Sequence, residues 1–122
     1  ALAAVLCLAL TSCGSQVDYE RYALSFMQVT NTERYEANKD WLLANTSKEL
    51  QEEVNRFLYN SNFSNTMQVK ITKSNIQISG DTIKAFYIME CQAADYGYLS
   101  STSFTFTKNK LTDYKIYTLG SL

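Results

Sequence analysis

The chain changes hydrophobic period once, near Asn60, and that change divides it into a helical half and a strand half. Before it, apolar residues recur three and four places apart: Tyr19, Tyr22, Ala23, Phe26 and Val29 form one stripe, and Leu50, Val54, Phe57 and Leu58 another. Between these stripes residues 33–44 are less regular, with Tyr35, Trp41 and Leu42 as candidates for burial, and are expected as a second helix, either separate from the first or continuous with it. Three hydroxyl-x-x-carboxylate patterns, Ser15 with Asp18, Thr30 with Glu33 and Thr46 with Glu49, predict the helix starts, because each can satisfy unpaired amides of a first turn.

After Asn60 the period is two. Met67, Val69 and Ile71 alternate with polar residues; the phase then slips across residues 73–75 and resumes at Ile76 and Ile78, as a bulge would cause. Ser79-Gly80-Asp81-Thr82 reads as a tight hairpin turn. Residues 83–92 present an apolar face of Ile83, Ala85, Tyr87, Met89 and Cys91, and a mixed face of Lys84, Phe86, Ile88, Glu90 and Gln92. A loop at residues 95–98 leads to a Ser/Thr-rich strand with Phe104 and Phe106. A turn at Lys108-Asn109-Lys110 and a last strand over residues 111–119 complete the chain. The expected class is α+β: N-terminal helices packed on a four-stranded antiparallel meander.

Ahead of the helices, residues 1–10 are an apolar run closed by Leu10-Thr11-Ser12-Cys13-Gly14. An aliphatic residue three places before a cysteine, with small residues between and after it, resembles the lipobox of bacterial lipoproteins. The apolar run has signal-peptide length and is too short to span a bilayer. The resemblance implies cleavage between Ser12 and Cys13 and a lipidated Cys13 carrying diacylglyceryl and palmitate-type chains. Two acyl chains hold a protein on a membrane that one would let it leave. The domain plan is then a signal peptide over 1–12, expected to extend upstream because no basic segment precedes Ala1, a lipidated cysteine and short tether over 13–16, and one domain over 17–122. So short a tether reaches about 14 Å at full extension, which keeps the domain against its membrane.

Helices followed by a meander that ends in Tyr114-Lys115-Ile116-Tyr117 look like the cystatin-like, or nuclear transport factor 2-like, superfold. Small bacterial lipoproteins of this layout occur behind a lipobox, some on conjugative elements. The type IV secretion assembly factors of the fold are normally held by a transmembrane helix, a pattern from which the lipobox departs. The superfold hosts enzymes, ligand carriers and assembly subunits alike, so the fold leaves function open.

Composition narrows the choice. The chain has no histidine, which removes histidine–aspartate dyads, serine triads and most zinc sites. An isomerase-type site would have to use Glu90 or Asp40 as base and Tyr87 or Tyr35 as donor, and these residues are better explained as solvated acids and core aromatics. No enzymatic activity, cofactor or metal is expected. Cys91 has no base to activate it and reads as a small core residue; with Cys7 removed and Cys13 lipidated, no intrachain disulfide is expected. A net charge of -1 gives no general attraction to nucleic acid. The sequons at Asn45 and Asn62 carry no meaning for a bacterial lipoprotein.

Two sites remain. Helices on one side of a sheet leave the other face uncovered, so Lys70, Lys84, Phe86 and Ile88 form a candidate docking face for an envelope protein, in a conjugation, secretion or other envelope assembly. The alternative is a small-ligand carrier that uses a cavity between helices and sheet, at Tyr35, Trp41 and Tyr87.

Overall fold

The computed structural model of the protein describes residues 18–27, 32–60 and 68–122, with the backbone alone for 32–35 and 60. Among the described residues three helices precede four strands: α1 (Tyr19–Met27), α2 (Thr32–Ala44), α3 (Gln51–Asn60), β1 (Gln68–Ser79), β2 (Thr82–Gln92), β3 (Gly97–Thr107) and β4 (Lys110–Ser121). The strands form one antiparallel sheet in the order β1-β2-β3-β4. The α+β meander expected from the change of period is the observed architecture.

The core forms where one face of the sheet meets the helices. Alternation along β2 buries Ala85, Tyr87, Met89 and Cys91, and along β3 it buries Ser100, Thr102, Phe104 and Phe106. From the helices come Tyr22, Ala23, Phe26 and Met27 of α1, Leu42 of α2, and Val54 and Leu58 of α3. Leu50 and Phe57 pack against this cluster half-buried. α1 sits at its centre. The Tyr22 ring lies 5.3 Å from Phe106 and 6.0 Å from Phe104, edge-on to both, and Phe26 meets Phe57 at 4.9 Å and Tyr114 at 5.1 Å. Edge-to-face contacts of this kind add roughly 0.5–1.5 kcal/mol per pair beyond area burial.

Local chemistry explains the turns. Gly80 takes a φ of 63° at the first turn position of the β1–β2 hairpin, a conformation that costs glycine nothing. The β3–β4 turn has both Lys108 (φ 52°) and Asn109 (φ 66°) in the left-handed region, which matches strand twist in a two-residue hairpin. Lys110 belongs to β4 and not to the turn. Likewise Gly97 and Tyr98, expected in a loop, open β3, because Gly97 pairs with Gln92 and Tyr98 with Cys91.

The helix starts differ from expectation in an instructive way. Asp18 caps α1, its carboxylate accepting from the Arg21 amide at 3.0 Å; its expected partner Ser15 lies outside the described residues, as does Thr30. Thr46 does not cap α3. Its hydroxyl turns back and donates to the Leu42 carbonyl at 2.7 Å, closing α2 instead, and the turn into α3 is made by the Leu50 amide on the Ser47 carbonyl. The reason is the other end of α2, whose last carbonyls collect side-chain donors in addition to the backbone amides of Asn45 and Thr46. Asn45 Nδ2 reaches Trp41, Thr46 reaches Leu42, Gln51 Nε2 reaches Leu43, and Lys110 Nζ reaches Ala44.

The expected bulge in β1 is present, two residues earlier than the sequence pattern placed it. Ile71 pairs with Met89 and Lys73 with Ile88, so Thr72 is the extra residue, and its hydroxyl donates to the Ile88 carbonyl at 3.1 Å. Beyond the bulge Ile76 and Ile78 return to the helix side of the sheet opposite Ala85 and Ile83, yet both are exposed.

Removing the Met89 side chain from this filled layer, as in Met89→Ala, should lower unfolding free energy by about 2–5 kcal/mol in urea titrations. The thiol of Cys91, fully buried beside it, should react with a thiol reagent only after denaturant is added.

Candidate functional site

The face of the sheet away from the helices is built by the residues between the core positions. Cross-strand register sets them in rows. Gln77, Lys84, Thr105 and Asp113 form one row; Asn75, Phe86, Ser103 and Lys115 the next; Lys73, Ile88, Ser101 and Tyr117 the third; and Lys70, Glu90 and Leu99 the fourth. All four expected docking residues, Lys70, Lys84, Phe86 and Ile88, therefore lie on one surface. Phe86 and Ile88 are half-buried and the lysines exposed.

Two more lysines join them. Lys73 reaches this face only because the bulge at Thr72 shifts the alternation by one, and Lys115 comes from the far strand by pairing with Ser103. Four lysines thus face Glu90 and Asp113 across the same surface. None of the four forms an ion pair among the described residues, where the pair between Arg56 and Glu52 lies on α3.

The relief of the face follows from side-chain size. β3 contributes Ser101, Ser103 and Thr105, which are short, while Phe86 on β2 and Tyr117 on β4 stand higher. The result is a trough of about 300 Å³ along β3, lined by Lys84, Phe86, Ser101, Ser103, Lys115 and Tyr117 among others. A second concavity of about 590 Å³ lies on the outer side of α1 against α2, walled by Asp18, Glu20, Arg21, Leu24, Ser25 and Asn38. Its charges are of both signs, and the Arg21 guanidinium is engaged 4.0 Å over the Trp41 ring, so it has the character of a solvated helix surface.

The candidate cavity residues are held in packed positions. Tyr87 is almost wholly buried with its ring 6.4 Å from Phe104, and Trp41 is half-buried with its ring 6.0 Å from Tyr22. Tyr22 and Phe104 are themselves in contact, so aromatic rings fill the space between the two. The Tyr35 side chain lies outside the described residues, as do Leu10, Thr11, Ser12, Cys13 and Gly14.

Burial dominates the titration of these groups. The Tyr87 hydroxyl is pushed up to about 12, first by desolvation and then by the negative charges of Glu20 and Asp18. Tyr114 is raised to about 12 by desolvation and then by Glu53, and Tyr98 to about 12 by desolvation and then by Cys91. Desolvation also raises the Cys91 thiol and so keeps it in the unreactive thiol form, with the hydrogen bond to Tyr98 acting in the opposite direction. Among the described residues no group of three or more metal-ligating side chains converges, and no helix is long and apolar enough to cross a membrane.

Among the described residues, three helices leading into a four-stranded antiparallel meander have the layout of a nuclear transport factor 2-like fold. The structure is similar to the crystal structure of CagV, a VirB8 homolog of the type IV secretion system from Helicobacter pylori strain 26695. The TM-score is 0.57 at 14% sequence identity, over 80% of this chain and 94% of that one. No protein-family model matches the chain, and no curated protein matches it.

Raised tyrosine values make stability depend on alkaline pH. A tyrosine that ionises at about 12 folded and near 10 unfolded stabilises the fold fully below pH 10, and loses that contribution as pH rises through 12. The melting temperature should therefore be level up to about pH 10 and fall steadily above it. Tyrosinate absorbance should rise late and together with unfolding.

Proposed function

We propose that the chain is a lipid-anchored, extracytoplasmic bacterial lipoprotein that works without catalysis, as a docking module in an envelope assembly of the secretion or conjugation kind. The observation that carries this reading is the outer sheet face. There Phe86 and Ile88 lie half-exposed at the centre of a surface bearing four lysines that have no ion-pair partner among the described residues. An apolar centre with a charged rim is the arrangement of a protein interface. Unpaired charge at the rim costs nothing in water and speeds encounter with a surface of opposite sign.

Two further observations support it. The lipobox ending at Cys13, with its short tether, would hold the domain beside a membrane, where other envelope proteins are within reach. The likeness in fold to a VirB8 homolog of a type IV secretion system fits a non-catalytic assembly role. The absence of histidine from the chain and the filled aromatic layer around Tyr87 both favour docking over catalysis or ligand carriage.

The anchor is tested by metabolic labelling with a clickable palmitate analogue. Wild-type protein should be labelled, and Cys13→Ala should stay uncleaved and unlabelled; equal labelling of the two excludes the anchor. Docking is tested by photocrosslinking in cells. Phe86→Ala and Ile88→Ala should weaken crosslinks to an envelope protein several-fold while moving the melting temperature little, because neither side chain belongs to the core. If both variants keep every crosslink, and native mass spectrometry shows a small molecule lost on Tyr87→Ala, the carrier reading replaces docking.

A further inference from the structure

β1 is an edge strand, and from Thr72 to Ser79 every one of its residues is exposed, as is Gly80 of the turn that follows. Ile76 and Ile78 are 42% and 72% exposed, on the helix side of the sheet beyond the area that the described helices cover. An edge whose outward backbone groups have no partner among the described residues, with aliphatic side chains in alternate positions, is a template for another strand. The opposite edge is not equivalent. β4 starts beneath the α2–α3 turn, with the Leu111 amide donating to Asn45, the Ser47 amide donating to Leu111, and Thr46 in a parallel bridge beside it.

We propose that residues 73–81 form the seam of a two-fold dimer, in which a second copy of this chain adds its own β1 antiparallel, with Gln77 facing Gln77. Symmetry fixes the rest of the register, because a two-fold contact must match a surface to itself. Ile76 meets Ile78 of the second copy and Ile78 meets its Ile76, all on the helix side of one continuous eight-stranded sheet. Lys73 comes beside the Gly80-Asp81 turn of the second copy, where its long side chain can reach that Asp81, and the symmetric pair forms at the other end. Moving the centre by one residue, to Ile76 or to Ile78, sets one isoleucine against Ser74 or Gly80 and takes Lys73 away from Asp81. Neither Lys73 nor Asp81 has an ion-pair partner among the described residues. The bulge at Thr72 ends the regular segment on one side and the Gly80 turn ends it on the other, which bounds the seam to this stretch. Lys73 alone would guard an edge against pairing. With Asp81 at the matching distance it selects one register instead.

The seam uses the edge of β1 and its helix-side isoleucines and shares only Lys73 with the outer face, so Ile78→Lys tests it apart from the outer-face reading above. Sedimentation of the full chain in a mild non-ionic detergent, over a range of protein concentrations, should show a monomer–dimer equilibrium. Ile78→Lys, which places two lysines in the seam, should weaken association about tenfold or more. Lys73→Asp and Asp81→Lys should each weaken it, and the double exchange should restore it. Melting temperatures of these surface variants should stay near wild type, so a loss of dimer will not reflect unfolding. A chain that stays monomeric throughout, or a dimer indifferent to Ile78→Lys and to the charge exchanges, overturns the proposal.

Discussion

The fold depends on what happens at Thr46. Tyr22 carries its ring into the middle of the aromatic layer, and a phenol hydroxyl taken out of water must find a partner there or lose roughly 1–3 kcal/mol. That partner is the Thr46 hydroxyl at 2.7 Å. Since the one Thr46 proton is already given to the Leu42 carbonyl, Tyr22 is the donor. The same turn pairs with β4 through Asn45, Ser47 and Leu111. One threonine thus joins three elements: α1 through Tyr22, α2 through its last carbonyls, and the sheet through the bridge to Leu111. Burial then drives the Tyr22 ionisation well above the ordinary tyrosine range.

That arrangement was hidden from the sequence because a threonine is read locally. Thr46-x-x-Glu49 has the form of a start signal, and nothing nearby says that the hydroxyl will face backward. The donors that complete the end of α2 come from Gln51 and from Lys110, the latter 66 residues away from Ala44. Strand alternation, by contrast, was legible residue by residue. A period of two needs no long-range information to say that Ala85, Tyr87, Met89 and Cys91 share a face and that Phe86 and Ile88 share the other.

The docking face was therefore half visible. Lys84, Phe86 and Ile88 follow from a single strand, and Lys70 from its neighbour before the bulge. Lys73 was missed because its face depends on where the extra residue falls. With the slip placed across residues 73–75, its side was undetermined, whereas an extra residue at Thr72 turns it outward beside Ile88. Lys115 was missed for a different reason: the register of β4 is set by a second irregularity between Thr105 and Phe106, and the sequence carries no mark for it. The trough follows in turn, since it needs three strands aligned so that the serines of β3 lie between Phe86 and Tyr117.

Element lengths explain why so much sheet is left uncovered. Strands of 11 and 12 residues extend roughly 36–40 Å at about 3.3 Å per residue, whereas the 9 residues of α1 span about 14 Å at 1.5 Å each. The described helices pack on the middle of the sheet and leave the β1–β2 turn end of its helix side uncovered. Helix-side residues near the β1–β2 turn are consequently apolar by the alternation of their strand and exposed by the shortness of the helices, which is the position of Ile76 and Ile78. The outer face meets water for a separate reason, having no helix at all among the described residues. Two surfaces of different chemistry result from one mismatch of lengths and one missing layer: an aliphatic edge suited to a strand of its own kind, and a lysine-rimmed trough suited to something unlike itself.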